Sequence, residues 1–428
     1  MKILAISNFY PPYYMGGYEL RAQNILNGLK RRGHKVFVLT STYGINKISI
    51  KNGVYRVFSY KHKFPVSFME TILKDIKETI ELKKVIKKLE PDVIYIFNMR
   101  FLSKTLLKKA YLLKIPIVYD IADYWFIDNG LYDRWLSYWQ YSPRFFITRR
   151  IKLKLSGLVT KLNIESILPT DTSCFDFKYM YFISNFIKNI YLKNGFGVKE
   201  AQVFYHHGLK INLNTKTEFV PLSPPVKLLY VGAVIKNKGV HTIINALPTL
   251  KQKGCDCNLS IIGGTFDKEY LKGLKLIIER EKLSVSFVGQ YPHNKVLDMY
   301  KNYDILVFSS IWDEPFGRVI VEGMSGGLVV VATGTGGSKE ILNDGENCLL
   351  FTPDDSEDLA KKIEMLIKRP ELYKKVVRNG INFVKDFDSE DNIEKNEKYL
   401  NGVIKDYKTK LQVQLSWIKF SPPKSSGR

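Results

Sequence analysis

Two carboxylates at a fixed spacing are the residues of this chain best placed to do chemistry. Glu314 and Glu322 lie in the stretch Trp312–Glu340, WDEPFGRVIVEGMSGGLVVVATGTGGSKE, with seven residues between them and a Phe-Gly turn after the first. Beyond them come a helical pattern, the small-residue hinge Ser325-Gly326-Gly327, an apolar strand Leu328–Ala332, and a second glycine turn, Gly334–Gly337, that closes on Glu340. The order strand, polar loop, helix, strand, glycine loop, helix is one unit of a doubly wound sheet, where ligands bind at the carboxyl ends of strands. One carboxylate before a helix and one inside it suit a long ligand with hydroxyls at both ends. Eight helical steps span at most about 12 Å, comparable to the reach from a hexose across a diphosphate to a ribose. The plainer alternative is an exposed helix with ordinary surface glutamates. Flanking glycines on both sides of the helix weigh against it.

The elements that must hold this stretch are legible on either side of it. Lys2–Asn8 reads as a first strand, Tyr10–Gly17 as a loop, Glu19–Arg32 as a helix ended by Gly33-His34, and Lys35–Thr40 as a second strand. Gly16-Gly17 lies where a ligand phosphate approaches backbone N–H groups, although turns also need glycine for steric reasons alone. A hairpin-like Ile48–Tyr60, a basic helix Ile72–Leu89, and strands Val93–Phe97, Pro116–Asp120, Tyr179–Ile183 and Gln202–Tyr205 complete the first half. Asn212–Pro225 reads as a linker. The second half begins the same way, with strand Lys227–Val231, Gly232, the turn Lys236–Gly239 and helix Val240–Leu250. This repeat predicts an α/β protein of two Rossmann-like domains facing across a cleft. The boundaries are residues 1–215 and 216–385. A last helix, about 386–408, crosses back to the first domain, and a tail at 411–428 is expected to be poorly ordered.

At 428 residues the chain exceeds one ordinary core. No run approaches the ~18 apolar residues that span a bilayer. The start MKILAISNFYPP lacks a signal-peptide layout, so a cytoplasmic compartment is expected. Four cysteines form neither a disulfide framework nor a four-ligand metal pattern. The net charge of +23 is lopsided: residues 1–215 hold 34 basic against 15 acidic residues, and the remainder 31 against 27. A one-sided basic half suggests an anionic partner. Arg134–Ile164 carries seven Lys or Arg and no acidic residue, interleaved with Trp135, Tyr138, Trp139, Tyr141, Phe145 and Phe146. That composition suits a segment lying on anionic lipid, and equally a pair of helices packed with their aromatics inward. No helix-turn-helix, finger or RNA-sheet signature supports nucleic acid.

With these motifs in view, the chain from residue 1 to about 405 resembles the family 4 glycosyltransferases of GT-B architecture. The most specific match is Glu314-Pro-Phe-Gly to Glu322. Gly16-Gly17, Gly33-His34, Gly232 with Lys238-Gly239, Asp304, and Gly336-Gly337 with Glu340 support it. The resemblance implies a nucleotide-diphosphate sugar, UDP- or GDP-linked, on the second domain, and an acceptor on the first. It implies that Glu322 accepts from ribose hydroxyls, and that Glu314 meets the sugar with the N–H groups of Phe316 and Gly317. Lys238 would neutralise the diphosphate, Gly16 and Gly17 would close over it from the other domain, and backbone at Gly289, Gln290 and Tyr291 would hold the base. Asp123 would lie near the reacting sugar. The implied reaction retains anomeric configuration and needs no metal.

Two departures stand out. Ala233 follows Gly232 where the family usually has Arg, with Lys236 or Arg318 as substitute cations, and an Arg318–Glu314 pair one helical turn apart as the structural alternative. Ala122 precedes Asp123 where many members have His. The expected protein is a hexosyltransferase acting on a lipid-linked or polysaccharide acceptor, peripheral on the cytoplasmic membrane face through Arg134–Lys161. The second expectation is a non-catalytic GT-B subunit that binds a nucleotide sugar or an enzyme partner.

Overall fold

The computed structural model describes residues 1–60, 68–127, 177–205, 220–385, 387 and 389–420. The basic aromatic segment Arg134–Ile164 and most of the expected linker lie outside them. The chain forms two compact units, one of Met1–Ile183, Ile187–Gly208 and Glu390–Arg428, the other of Ser184–Phe186 and Leu209–Ser389.

In the first unit, strands β1 (Lys2–Ile6), β2 (Lys35–Ser41), β3 (Ser49–Lys51), β4 (Val54–Phe58), β5 (Val93–Ile96), β6 (Ile117–Ile121), β7 (Met180–Phe182) and β8 (Gln202–Val203) build one sheet. Its order is β3-β4-β2-β1-β5-β6-β7-β8, and every pairing is parallel except the β3–β4 hairpin. The central strands read as uninterrupted apolar runs because helices cover both faces of a parallel sheet; β5 and β6 are buried at every residue. Helices α1 (Gly17–Arg31), α2 (Phe68–Leu89) and α3 (Thr105–Leu112) precede β2, β5 and β6, and α4 (Asn185–Lys193) follows β7.

The second unit repeats the plan. Strands β9 (Val226–Val231), β10 (Cys257–Ile262), β11 (Val285–Gly289), β12 (Ile305–Phe308), β13 (Val329–Ala332) and β14 (Leu349–Leu350) order as β11-β10-β9-β12-β13-β14, all parallel. The strand order reverses between β9 and β12, which opens a crevice at their carboxyl ends. Helices α5 (Val240–Gln252), α6 (Lys268–Arg280), α7 (His293–Met299), α8 (Arg318–Ser325), α9 (Ser356–Lys368) and α10 (Pro370–Lys385) complete it. The helix after the second glycine turn is a six-residue 3-10 helix, Gly336–Ile341.

The last helix, α11 (Ser389–Phe420), joins the first unit's core through Ile393, Leu400 and Val403. It runs on to Phe420, past Leu411, where the sequence pattern predicts a poorly ordered tail. No Gly or Pro interrupts the sequence from 403 until Pro422, and without a breaker the helical pattern continues. Asn396 of α11 donates to the hydroxyls of Tyr95 (2.6 Å) and Tyr181 (3.0 Å). Tyr181 in turn donates to Asp120 at 2.9 Å, and Asp120 pairs with Arg21 of α1 at 3.1 Å, both side chains buried. Burial raises the Asp120 carboxyl against the opposing pull of Arg21 and its hydrogen bonds. This polar chain ties α1, three strands and α11 together inside an apolar core, where satisfied partners are required.

Gly28 is where α11 presses closely on α1: a Cβ there would sit 2.5 Å from Ile393. Gly28→Val should therefore overpack the contact and destabilise the first unit by about 1–3 kcal/mol. Denaturant unfolding of the variant beside wild type measures the loss. Coincident midpoints would show that α11 yields to the added methyls without cost.

Candidate active site

The second unit brings its predicted residues to the carboxyl edge of its sheet. Gly232 follows β9, its N–H donating to the Ile262 carbonyl at 2.9 Å. Lys238 closes the 3-10 turn Lys236–Lys238, and its carbonyl accepts from Ser309 Oγ at 2.9 Å. Gly239 follows at φ +65°, where a Cβ would overlap the Ser309 carbonyl. The Lys238 ammonium forms an ion pair with the buried Glu314 carboxylate and lies 5.4 Å from the Trp312 ring centre. Glu314 is gripped from the backbone as well: its carbonyl accepts from Gly337 N–H at 2.6 Å. Gly336, at φ +57°, approaches so closely that a Cβ would sit 2.5 Å from the same carbonyl oxygen.

Gly317 adopts a left-handed conformation, φ +96°, as the N-cap of α8. The helix therefore starts at Arg318, with Phe316 buried and Glu314 ahead of the first turn. Glu322, 4% exposed, lies one turn inside α8. It accepts from Arg318 Nε at 2.5 Å, meets His293 Nε2 at 2.7 Å, and accepts from the Tyr300 hydroxyl at 3.3 Å. Burial alone would raise its carboxyl, but the Arg318 charge and the His293 bond outweigh that and bring it down to about 2. Glu322 is thus an ionised carboxylate in a buried place. Arg318 pairs with Glu322, where the sequence alternative is a pair with Glu314. Arg318 and Lys238 are each matched to one glutamate.

His293, Tyr300 and Trp312 carry no sequence signal that assigns them a role. The nearest to one is the place of His293, the first helical residue after the strand that ends in Gly289. Gly289 has φ +86°, Gln290 is exposed and close to Gly264, and Tyr291 is 48% exposed.

In the first unit, Gly16 is the extended N-cap of α1 and Gly17 its first residue. Gly16 N–H donates to the buried Glu19 carboxylate at 2.9 Å. Burial pushes the Glu19 carboxyl up to about 7, against the backbone bond from Gly16 that favours ionisation. Tyr18 ties this loop to the end of β6: its hydroxyl accepts from Ala122 N–H at 3.1 Å and donates to the Asp120 carbonyl. Asp123 accepts from Trp125 N–H at 2.8 Å and lies 3.7 Å from Arg100. Among the described residues no group of acidic, His or Cys side chains forms a metal site, and Cys255, Cys257 and Cys348 are free thiols.

Two Rossmann-like units, with paired glutamates and a lysine at the carboxyl edge of the second sheet, define a protein of GT-B architecture. Residues 215–383 match the family model described as glycosyl transferases group 1, and residues 15–153 match glycosyltransferase family 4. The chain belongs to the family 4 glycosyltransferases. An uncharacterised glycosyltransferase of Methanocaldococcus jannaschii is 25% identical over 411 residues, 92% of this chain and 96% of its own. The Anabaena protein HepE, solved with UDP and glucose, superposes with a TM-score of 0.65 at 22% identity, covering 94% of this chain and 100% of HepE. WaaG, a glycosyltransferase involved in lipopolysaccharide biosynthesis, gives 0.61 at 16% identity, covering 93% and 100%.

The two buried carboxyls have opposite pH signatures. Glu322 is depressed from 4.5 to about 2, so its stabilisation is complete above pH 4.5 and is lost as pH falls toward 2. Glu322→Gln should remove that acid-sensitive portion, on the order of 3 kcal/mol. Glu19 is raised from 4.5 to about 7, so its contribution is full below pH 4.5 and is lost as pH rises through 7. Glu19→Gln keeps an acceptor for Gly16 and should abolish this decline. Unfolding curves at stepped pH test both; parallel profiles for variant and wild type would contradict the assignments.

Proposed function

We propose that this protein is a retaining glycosyltransferase that moves a hexose from a nucleotide-diphosphate sugar to a lipid-linked or polysaccharide acceptor at the cytoplasmic membrane face. The observation that carries the reading is the arrangement around α8: Glu314 ahead of the helix beside Lys238, and an ionised Glu322 within it. A carboxylate accepts two hydroxyl donors at once. Glu322 takes the ribose hydroxyls, with His293, Arg318 and Tyr300 holding its oxygens in place. The N–H groups of Phe316 and Gly317, at the positive end of α8, favour an anionic or strongly polar donor group. Glu314, held from both backbone and Lys238, binds the sugar. Lys238 turns from Glu314 toward the diphosphate, where its charge matters most as negative charge gathers on the leaving group. Gly232 leaves room for that group, and Gly289, Gln290 and Tyr291 offer backbone to the base. In the first unit, the Gly16-Gly17 turn starts α1 with the Gly16 N–H held by Glu19, and Asp123 is a carboxylate for the acceptor side.

Supporting the donor class, HepE was solved with UDP and glucose. Supporting a glycolipid acceptor, WaaG is involved in lipopolysaccharide biosynthesis. The basic first half fits an anionic acceptor surface. Ala233 is the observation that favours the alternative, a non-catalytic nucleotide-sugar-binding subunit, because it replaces a cation the family uses at the diphosphate.

Titration with a panel of UDP-, GDP- and ADP-sugars should find one donor that binds. Glu322→Ala should weaken that binding at least about tenfold, the loss expected for hydrogen bonds to a charged group. Lys238→Ala should lower turnover by about 10² or more. Failure of every donor to bind would end the proposal. Binding without turnover in the presence of membrane extract would select the non-catalytic reading.

A further inference from the structure

Helix α2 is turned the wrong way for a surface helix over its first described turns. Asp75, Glu78 and Thr79 are buried, while Leu73, Ile76 and Ile80 are 61%, 50% and 47% exposed. The orientation is locked by polar anchors. Asp75 accepts from Ser103 Oγ at 3.0 Å and Thr105 Oγ1 at 3.3 Å. Glu78 accepts from Ser59 N–H at 2.8 Å and lies 3.5 Å from Lys74, which donates to the Ser59 carbonyl. Burial raises the Glu78 carboxyl, and Lys74 with Ser59 opposes it. Farther along, the inward face turns apolar in the ordinary way, with Leu82, Val85, Ile86 and Leu89 buried.

At about 100° per residue, Leu73, Ile76 and Ile80 share one side of the helix with Lys77, Lys83, Lys84 and Lys87. Those lysines are exposed, and Lys84 reaches back to Glu81 at 2.9 Å. The outward face is therefore an apolar stripe at one end that continues into a row of cations. Helix α3, packed on α2, adds exposed Tyr111, with exposed Leu113 just past its end. Its Lys109 is close enough to Lys83 to feel its charge.

We propose that this face of α2 docks on an anionic lipid surface, the stripe entering the headgroup region and the lysines meeting lipid phosphates. The charge pattern selects this occupant: an anionic bilayer offers negative potential and an apolar layer together, to a single convex helix face. The inference rests on the membrane-face part of the proposed function and deepens it, and it does not depend on the donor chemistry. It gives the described part of the chain a membrane contact of its own.

The test uses the full chain with vesicles of phosphatidylglycerol and phosphatidylcholine, against phosphatidylcholine alone. Wild type should bind the anionic vesicles, less so as salt shortens the screening length. L73S/I76S/I80S and K77Q/K83Q/K87Q should each weaken binding at least about tenfold while leaving nucleotide-sugar binding unchanged. Should the serine variant fail to fold, Ile76→Trp, at an exposed position, should strengthen binding. Equal binding by wild type and all variants overturns the α2 assignment and leaves the membrane reading to another surface. Absence of wild-type binding overturns both, with donor binding deciding the glycosyltransferase reading separately. Self-association lost in the serine variant, without vesicle binding, would assign the face to a second copy and also overturn the proposal.

Discussion

Backbone packed against backbone at the carboxyl edge of the second sheet is the constraint on which the candidate site depends. A Cβ at Gly239 would strike the Ser309 carbonyl, and one at Gly336 would crowd the carbonyl of Glu314. Both glycines have positive φ, so their conformation and their lack of a side chain are needed together. The first contact sets the Lys238 turn against the end of β12. The second sets the loop before α8 against the loop after β13. Between them, Lys238 and Glu314 meet although they are 76 positions apart in the sequence. The side chains at this edge inherit their positions from loops with no space for a side chain between them.

Electrostatics then divides the two glutamates. Glu322 is buried and holds its charge because Arg318 and His293 offset the cost of burial. Glu314 is matched by one lysine, with no second cation paired to it among the described residues. Glu322 is therefore held by three side chains and Glu314 by a single lysine. The first unit meets the same burial problem in the opposite way at Glu19, where backbone donors do not match desolvation and the carboxyl rises.

The inverted turns of α2 show how local pattern and tertiary demand can disagree. Periodicity marks a basic helix over Ile72–Leu89, and that helix is present. Which side faces inward was decided by Ser59, Ser103 and Thr105, whose hydroxyl and backbone groups lie in other elements. Buried carboxylates with partners take the inward places there, and the apolar residues are left outside.

Much of the fold was legible because parallel strands buried on both faces read as short apolar runs, and glycines mark where they end. KILAI, VIYI, VKLLYV and VVVA announce β1, β5, β9 and β13 without any partner in view. Glu314 and Glu322 were equally legible, through their spacing and the glycines around them. The partner of Arg318 was not. Arg318 lies four residues from each glutamate, so sequence spacing permits either pair. Gly317 breaks the symmetry: its left-handed conformation starts the helix at Arg318, leaving Glu322 one turn along and Glu314 outside. The sequence alone determined the alternation of strands, helices and glycine turns and the identity of the two carboxylates, because these rest on local periodicity and residue type. Only the tertiary structure decided which cation each carboxylate holds and which face α2 turns outward, because both depend on donors brought close from distant segments.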